Sequence, residues 1–350
     1  MHPLTNPHGF RFKAIVVVGL LTLQFGHTSV FAEDLKEPRF MLTWGQKGEK
    51  PGEFHSPIGI VVNGQDQIFV TDLNNARVQK FDSAGKYLGG FDLPQDVPPR
   101  KQCILGGIAL DRKGLIYLSF MVQNKIAVYT EAGKPVREWG KHGSGDGEFN
   151  QPGGLLIQPD GTLDVVDQCN HRVQKFTPDG KFLGKWGEHG AQPGQFGGPE
   201  AAGSRFAGPH FLARDSKGRL YTTEAVLGRV QQLTGEGKPL LAWGDKGTQP
   251  GGFGSYSFGE LKNTFGPIGV MVDQHDRVWV SSLNDRVQAF TPEGKYLFGI
   301  SLSGNEPGEF SKPHGMAFDS HGFLYVADAG NQRIQKFEVP PPTPVSKTQP

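Results

Sequence analysis

The chain has 350 residues, including 50 Gly, 26 Pro and 25 Phe, and 36% of its residues are hydrophobic. A glycine-rich chain without a Gly-x-y period is not collagen, and its modest apolar share suits short strands joined by many turns. The 36 Lys and Arg balance 35 Asp and Glu, so the net charge of +1 provides no basic excess for nucleic acid. No Gly-x-Gly-x-x-Gly or Walker motif is found, which argues against Rossmann and P-loop enzymes.

The N-terminal segment has the three parts of a secretory signal peptide. Arg11 and Lys13 precede an apolar run at 14–25, and Val-Phe-Ala at 30–32 supplies the small residues of a cleavage site. An uncleaved anchor is less favoured, because a membrane span needs ~20 apolar residues. We expect cleavage near Ala32, which removes both cations and changes the net charge from +1 to −1. The sequence thus predicts a periplasmic or extracellular protein with no stable membrane span.

One pattern recurs six times in the rest of the chain. Its clearest element, Asn-x-Arg-Val-Gln-Lys-Phe, occurs at 75–81 and 170–176 and, with Ile for Val, at 331–337. The basic position of this element recurs every 47 to 57 residues, at Arg77, Lys125, Arg172, Arg229, Arg286 and Arg333. Each copy holds four short runs rich in β-branched and aromatic residues, separated by Gly, Asn or Pro turns. This is typical of a four-stranded propeller blade, so the sequence predicts an all-β, six-bladed β-propeller.

The two ends of the repeat region complete one blade between them. The sixth copy stops after its third run at Phe337, whereas Arg39–Gly45 resembles the outer runs that end in Trp-Gly elsewhere. We therefore expect this N-terminal strand to complete blade six and close the ring. The predicted organisation is a signal peptide at 1–32, a propeller at 33–338 and a Pro-rich disordered tail at 339–350.

The repeats resemble a known family. The Pro-x-Gly, Tyr-Val-Ala-Asp and Asn-x-Arg-Ile-Gln-x-Phe elements, seen best at 313–337, resemble NHL repeats, and the resemblance covers essentially all of the mature chain. It implies a six-bladed β-propeller. It does not imply one activity, because this fold carries binding, scaffolding and catalysis alike.

Two histidines mark a candidate site at one end of the predicted channel. Long connections, above all at 187–209 and 244–267, lead into the innermost strands, and long loops on a rigid scaffold carry function. The residue expected at the channel mouth in successive blades is Ile58, Gly106, Gly153, His210, Ile268 and His314. His210 and His314 could bind Zn²⁺ or another divalent cation, with His55 and His171 as supplements. Alternatively, each histidine is an isolated polar residue bonded to a loop carbonyl.

The same histidines carry a second resemblance, to the peptidyl-α-hydroxyglycine α-amidating lyase family. That secreted six-bladed family has Pro-His in three alternating blades, and the three histidines hold a catalytic zinc. His210 and His314 match two of them, whereas Gly106 stands where the third belongs. The family's Tyr-Cys-Asn-x-Arg turn, which supplies a catalytic Tyr, reads Gln-Cys-Asn-His-Arg at 168–172. The resemblance implies a metal-dependent lyase or hydrolase, and these two departures argue against it.

A ring of arginines is expected where the third strands begin, formed by Arg77, Arg172, Arg229, Arg286 and Arg333. As a ligand-binding ring they would attract an anion to the propeller face. Their repetition favours a structural role instead, in which each bonds the turn of its own blade beside residues such as Asp72, Asp167 and Asp328.

The two cysteines, Cys103 and Cys169, are expected on the same face in adjacent blades. A disulfide and two free thiols both stay open. A bridge would enclose 65 residues and stabilise the fold by ~4 kcal/mol in the chain-entropy model.

The sequence predicts two alternative functions for this protein. The first is an exported binding or scaffold module that presents its long-loop face to a protein, peptide or glycan and needs no cofactor. The alternative is the metal-dependent lyase or hydrolase, which would use Zn²⁺ or another divalent cation at His210 and His314; enzymatic activity thus stays open. RNA recognition, as in cytoplasmic tripartite-motif NHL proteins, conflicts with the signal peptide and the mature charge.

Overall fold

The computed structural model of the protein describes residues 37–94, 105–197, 208–254, 256–258 and 261–342. Within them, six antiparallel four-stranded sheets form the blades of an all-β propeller, as the repeats predicted. The expected signal peptide at 1–32, Cys103 and the tail beyond residue 342 lie outside the described residues. In the part that is described, no helix has the length and apolar character that a membrane crossing requires.

Each of blades one to three is a continuous stretch of chain, with strands a to d running outward from the axis. Blade one consists of Pro57–Val62, Ile68–Asp72, Arg77–Phe81 and Tyr87–Asp92. Blade two consists of Leu105–Leu110, Leu115–Phe120, Lys125–Thr130 and Pro135–Trp139. Blade three consists of Pro152–Ile157, Leu163–Asp167, Arg172–Phe176 and Phe182–Trp186.

The second half of the ring repeats this order and ends with a blade made from both ends of the repeat region. Blade four consists of Leu212–Arg214, Leu220–Glu224, Arg229–Leu233 and Pro239–Trp243. Blade five consists of Pro267–Val272, Val278–Ser282, Arg286–Phe290 and Tyr296–Ile300. Blade six consists of Pro313–Phe318, Phe323–Asp328, Arg333–Glu338 and, as its outer strand, Arg39–Trp44.

The outer strand of blade six closes the ring as predicted. Arg39–Trp44 pairs antiparallel with Arg333–Glu338, with Trp44 opposite Ile334. The Arg39 guanidinium lies 2.6 Å from the Glu338 carboxylate at the other end of this pairing. The N-terminal strand that leads into blade one thereby completes the sheet of blade six, so the first and last blades are joined through the chain.

Burial follows from the stacking of blades face to face. Strand b is buried along its whole length in blades one, three, four and five, whereas the outermost strands, such as Phe182–Trp186, alternate between partly buried and more exposed residues. Alternation of this kind is expected for a strand with one face on the core and one face in water. The apolar side chains lie mainly between neighbouring blades, and the innermost strands line an axial channel of about 310 Å³.

Two kinds of connection lie at the face where the channel begins. The turns between strands b and c include short 3₁₀ helices at Leu73–Asn75, Gln168–Asn170 and Ala329–Asn331. The loops from strand d to the next strand a contain the Pro-Gly-Glu-Phe type of element, and the short strands His189–Gly190 and Phe196–Gly197 pair within one of them. The Phe of this element has no exposed surface at any of its positions, Phe54, Phe149, Phe196, Phe253 and Phe310. A further hairpin, Tyr256–Phe258 with Leu261–Phe265, lies in the loop before blade five.

Hydrogen bonds between blades fix this face. The Ser119 hydroxyl of blade two donates to the carbonyl of Gly153 in blade three, at 2.6 Å. Thr223 donates in the same way to Ile268 of the next blade. These bonds join strand b of one blade to the innermost strand of the next at the start of the channel, so the residues there are held in place by neighbouring blades.

Candidate functional site: the channel mouth

The channel mouth is the ring formed by the second residue of the innermost strand in five blades and, in blade four, by the residue two positions before that strand: Ile58, Gly106, Gly153, His210, Ile268 and His314. The structure places both predicted histidines in this ring, in blades four and six. They lie in different environments, and each is best understood through its own contacts.

His210 is held by the blade before it. The ring is 2% exposed, and its Nδ1 lies 2.8 Å from the amide nitrogen of Gln168 in blade three. This contact engages Nδ1 of the ring, and the amide N–H is the donor in the tautomer that carries its proton on Nε2. The backbone of His210 also bonds across the interface, because its carbonyl accepts from Gly154 at 2.8 Å. His210 is therefore an integral part of the contact between blades three and four.

Gln168 can reach this histidine because residue 153 is a glycine. A Cβ at Gly153 would lie 3.0 Å from three atoms of the Gln168 side chain, closer than a comfortable van der Waals contact. Gln168 is buried, and its Oε1 accepts no hydrogen bond from the described residues. The five other residues that follow strand b are apolar: Leu73, Met121, Ala225, Leu283 and Ala329.

His314 lies in the innermost strand of blade six with an open hydrogen-bonding position. Its Nδ1 is buried and has no partner among the described residues. Burial lowers the pKa of His314 to about 4, because the charged ring loses its hydration. The ring is therefore neutral at pH 7 and offers one unsatisfied nitrogen.

The third position of the lyase pattern has no room for a ligand. A Cβ at Gly106 would lie 2.3 Å from the carbonyl oxygen of Pro152, so blade three occupies the space that a side chain would need. Among the described residues, no group of three or more His, Cys, Asp or Glu could hold a metal ion. Since zinc takes three or four protein ligands, His210 and His314 do not fit the three-histidine site.

The two supplementary histidines have other contacts. The backbone N–H of His55 donates to the Asp72 carboxylate at 2.6 Å. The ring of His171 packs against that of His189, with centroids 4.4 Å apart. Burial, and then the neighbouring His189, lowers the pKa of His171. Neither residue supplies a further ligand beside His210 or His314.

The arginine ring lies on the same face and bonds to the protein itself. Arg172 is typical: its Nε donates to Asp167 at 2.8 Å, and its other nitrogens donate to the carbonyls of Ser144, Gly145 and Glu148 in the loop before the blade. Arg77 and Arg333 repeat this pattern with Asp72 and Asp328, and Arg229 repeats it with Glu224.

Arg286 departs from the pattern. Ser282 stands where the four other blades with an arginine have a carboxylate, and the guanidinium makes two long bonds to the carbonyls of Gln249 and Gly252, at 3.3 and 3.4 Å. The donors that the anion-binding alternative requires are thus directed at loop carbonyls in all five blades. Their repeated geometry matches the structural role predicted from the repeats.

Cys169 lies in the turn between strands b and c of blade three, half-buried, with its backbone N–H donating to Asn150 at 3.0 Å. Its predicted partner Cys103 lies outside the described residues, so the disulfide stays a prediction.

Sequence reasoning missed a second feature, on the opposite face. Asp164, in strand b of blade three, is a buried carboxyl at a position where the other blades carry an aromatic ring. The signal was present in the repeats, but it becomes visible only when the six strands b are aligned residue by residue.

Comparisons with known proteins agree with the repeat architecture. The NHL repeat family matches residues 54–81 and 310–337. Peptidyl-glycine alpha-amidating monooxygenase of Mus musculus is 35% identical over 140 residues, which cover 37% of this chain and 14% of that protein. E3 ubiquitin-protein ligase TRIM32 of Mus musculus is 27% identical over 157 residues, covering 40% and 22%. The chain thus spans less than a quarter of these relatives.

Solved structures share the fold at low identity. Virginiamycin B lyase from Staphylococcus aureus superimposes with a TM-score of 0.54 at 16% identity, covering 82% of this chain and 96% of that one. A gluconolactonase of Xanthomonas campestris gives 0.57 at 15% identity, covering 88% and 96%. Identities this low bear on the fold alone. The chain is a six-bladed β-propeller that contains NHL repeats at 54–81 and 310–337, and it is distantly homologous to peptidylglycine alpha-amidating monooxygenase.

Proposed function

We propose that this protein is an exported peptide-binding propeller that holds its ligand at the channel mouth and does not run a zinc-dependent lyase reaction. The observation that carries the proposal is the hydrogen bond from Gln168 to His210. It occupies one of the two histidines at the place where the lyase family has a catalytic Tyr. The signal-peptide pattern at 1–32 supports export.

The open groups at the mouth favour a neutral ligand with N–H donors. Gln168 Oε1 and His314 Nδ1 are buried without partners among the described residues, and a buried polar group left unsatisfied costs about 1–3 kcal/mol. A peptide N–H that reached either atom would recover this cost. Ile58 is half-buried in the same ring, so apolar contact is available as well. A peptide backbone offers this combination of amide donors and apolar side chains.

The homology supports a peptide rather than a glycan. The name of the monooxygenase relative states that it acts on peptidyl-glycine, and its matching segment belongs to the same repeat architecture. The alternative, a metal-dependent lyase or hydrolase, has support in His210 and His314. The lack of space for a third ligand at Gly106 and the presence of Gln168 in place of the family's catalytic Tyr argue against this alternative.

The proposal is tested with a library of fluorescein-labelled random pentapeptides that are blocked at both ends. We expect wild-type protein to retain a subset of peptides, and Gln168→Leu and His314→Phe to lose it. Lys113→Ala, an exposed change on the opposite face, serves as the matched control and is expected to bind like wild type. Equal retention by all four proteins would overturn the proposal. Stoichiometric zinc together with cleavage of a peptidyl-α-hydroxyglycine would favour the lyase alternative.

A further inference from the structure

One interface of the ring is built differently from the others. The residue three positions before the end of strand b is an aromatic residue, at most 2% exposed, in five blades: Phe69, Tyr117, Tyr221, Trp279 and Tyr325. Each of these rings packs into the apolar cluster between its own blade and the next. In blade three the same position is Asp164, which is 1% exposed. The interface between blades three and four therefore lacks the ring that fills the other interfaces.

A cavity opens at this interface, on the face that carries the turns between strands a and b. The apolar cluster shared by blades three and four contains only Val166, Val173 and Leu212 as buried members among the described residues. Towards the opposite face lies a solvent-accessible cavity of about 610 Å³, lined by both blades. Its lining contains four cations, Lys175, Arg214, Lys217 and Arg219, and two carboxylates, Asp160 and Glu236.

The side chain of Lys175 lacks the two contacts that Lys80, the equivalent residue of blade one, makes with its neighbours. It lies across from Asp164 in the sheet, as Lys80 lies across from Phe69. The Lys80 ammonium sits 5.0 Å from that ring and 2.8 Å from the Glu131 carboxylate of the next blade. At the interface between blades three and four, Asp164 replaces the ring and Gly235 takes the place of the glutamate.

In the described ranges, the side chain of Lys175 makes no hydrogen bond or ion pair with another residue. Its ammonium is near two carboxyls without pairing with either, since it contributes to the electrostatic environment of Asp160 and of Asp164. The ammonium therefore keeps donors for a ligand in the cavity.

Arg214 brings a second open cation. It ends the innermost strand of blade four, where the other blades have the apolar residues Val62, Leu110, Ile157, Val272 and Phe318. Its guanidinium makes no hydrogen bond or ion pair with another residue in the described ranges. Arg214 lines both the cavity and the end of the axial channel.

The neighbouring groups add donors, and some of the nearby acceptors are already engaged. Arg219 donates from Nε to Asp215 at 2.6 Å, whereas its Nη2 is buried without a partner among the described residues. Lys217 is exposed at the rim. Asp160 already accepts two bonds from Thr162, at 2.9 and 2.7 Å. Burial raises the pKa of Asp164, whose Oδ2 accepts from Gln158 at 2.5 Å.

We propose that the cavity between blades three and four binds a small phosphate monoester. A phosphate presents three terminal oxygens, and guanidinium and ammonium donors from several directions are the groups that bind such an oxyanion. A cavity of about 610 Å³ exceeds what a phosphate ion fills, so the ligand carries an organic part. The site lies on the opposite face from the channel mouth and is independent of the peptide proposal.

Calorimetric titration at low salt tests this site with three probes: glucose 6-phosphate, inorganic phosphate and glucose. We expect wild-type protein to bind glucose 6-phosphate with a Kd below ~1 mM, and glucose to give no heat. Arg214→Val, which introduces the residue of blade one, is expected to weaken binding at least about tenfold. Arg112→Ala removes an equal charge from an exposed turn of blade two on the same face and is expected to leave binding unchanged.

The possible outcomes distinguish a site for a phosphate monoester from a site for the free ion and from the absence of a phosphate site. Tighter binding of the ester than of inorganic phosphate upholds the proposal, and equal binding assigns the site to the free ion instead. The absence of binding for both phosphates, or equal weakening by Arg112→Ala, overturns it. Lys217→Ala, an exposed change at the rim, provides a second variant whose fold is not at risk, and it is expected to weaken binding in the same direction.

Discussion

The amide nitrogen of Gln168 lies 2.8 Å from Nδ1 of His210, and this contact joins blade three to blade four at the channel mouth. A glycine at 153 makes room for it. The contact engages Nδ1 of His210, and at Gly106 the carbonyl of Pro152 leaves no room for a third ligand. Two features thus separate this mouth from a three-histidine metal site.

Removal of the Gln168 side-chain amide should lower the stability of the folded protein by a measurable amount. Gln168→Leu deletes the bond to a ring that is 2% exposed, and we expect it to lower the free energy of unfolding by about 1–3 kcal/mol. Urea denaturation followed by tryptophan fluorescence measures the change. Met121, which is the equivalent residue of blade two, provides the control: Met121→Leu should change stability by less than 0.5 kcal/mol or so. Equal effects would contradict the account.

The arginine ring offers a matched pair of variants. Arg172→Met leaves the buried carboxyl of Asp167 without its partner at 2.8 Å, and breaking such a pair costs about 3–5 kcal/mol. Arg286 has no carboxylate and only two long bonds to carbonyls, so Arg286→Met should cost about 1 kcal/mol. Chemical denaturation of both variants compares them directly. Equal costs would show that the ion pair is not what stabilises the loop.

The neutral state of His314 predicts a pH dependence with a definite sign. Its pKa is lowered from 6.5 to about 4 in the folded protein, so below pH 6.5 the unfolded chain binds a proton that the folded chain does not. The free energy of unfolding should therefore fall as the pH drops from about 6.5 to 4, by up to about 3 kcal/mol from this group. His314→Gln should reduce that slope when both proteins are denatured at a series of pH values. Identical slopes would contradict the buried, neutral assignment.

The interface between blades three and four lacks the aromatic ring of the other interfaces, and two substitutions can restore it. In blade four, the Tyr221 hydroxyl donates to Asp215 at 2.9 Å, whereas blade three has Gln158 and Asp164 at the corresponding places. The double variant Gln158→Asp/Asp164→Tyr should recreate this pair and place a ring in the cavity. We expect it to fold and to lose glucose 6-phosphate binding in calorimetry. Retained affinity would place the phosphate site elsewhere.

Repetition explains why much of the architecture could be predicted from the sequence. Arg39–Gly45 was assigned to blade six because its Trp-Gly ending matches other outer strands, and the pairing of Arg39–Trp44 with Arg333–Glu338 confirms it. The same pattern predicts His210 and His314 at the start of the innermost strands, because each repeat supplies one residue at that position.

Distances between blades could not be predicted in this way. That Gly106 is pressed against the Pro152 carbonyl depends on how closely two blades approach, which no local pattern encodes. The cavity beside Arg214 likewise arises because Asp164 and Gly235 are each smaller than their counterparts in other blades. Such features appear only when residues distant in sequence are brought together.

The central claim is that the mouth binds peptide through Gln168 and its neighbours without a metal. The most direct test is the fluorescence anisotropy of a peptide retained from the library, titrated with wild-type protein and with Gln168→Leu, each with and without EDTA. The account predicts that EDTA leaves the Kd unchanged and that Gln168→Leu raises it about tenfold or more, equivalent to about 1.4 kcal/mol. Binding that EDTA abolishes, or that Gln168→Leu leaves intact, would contradict it.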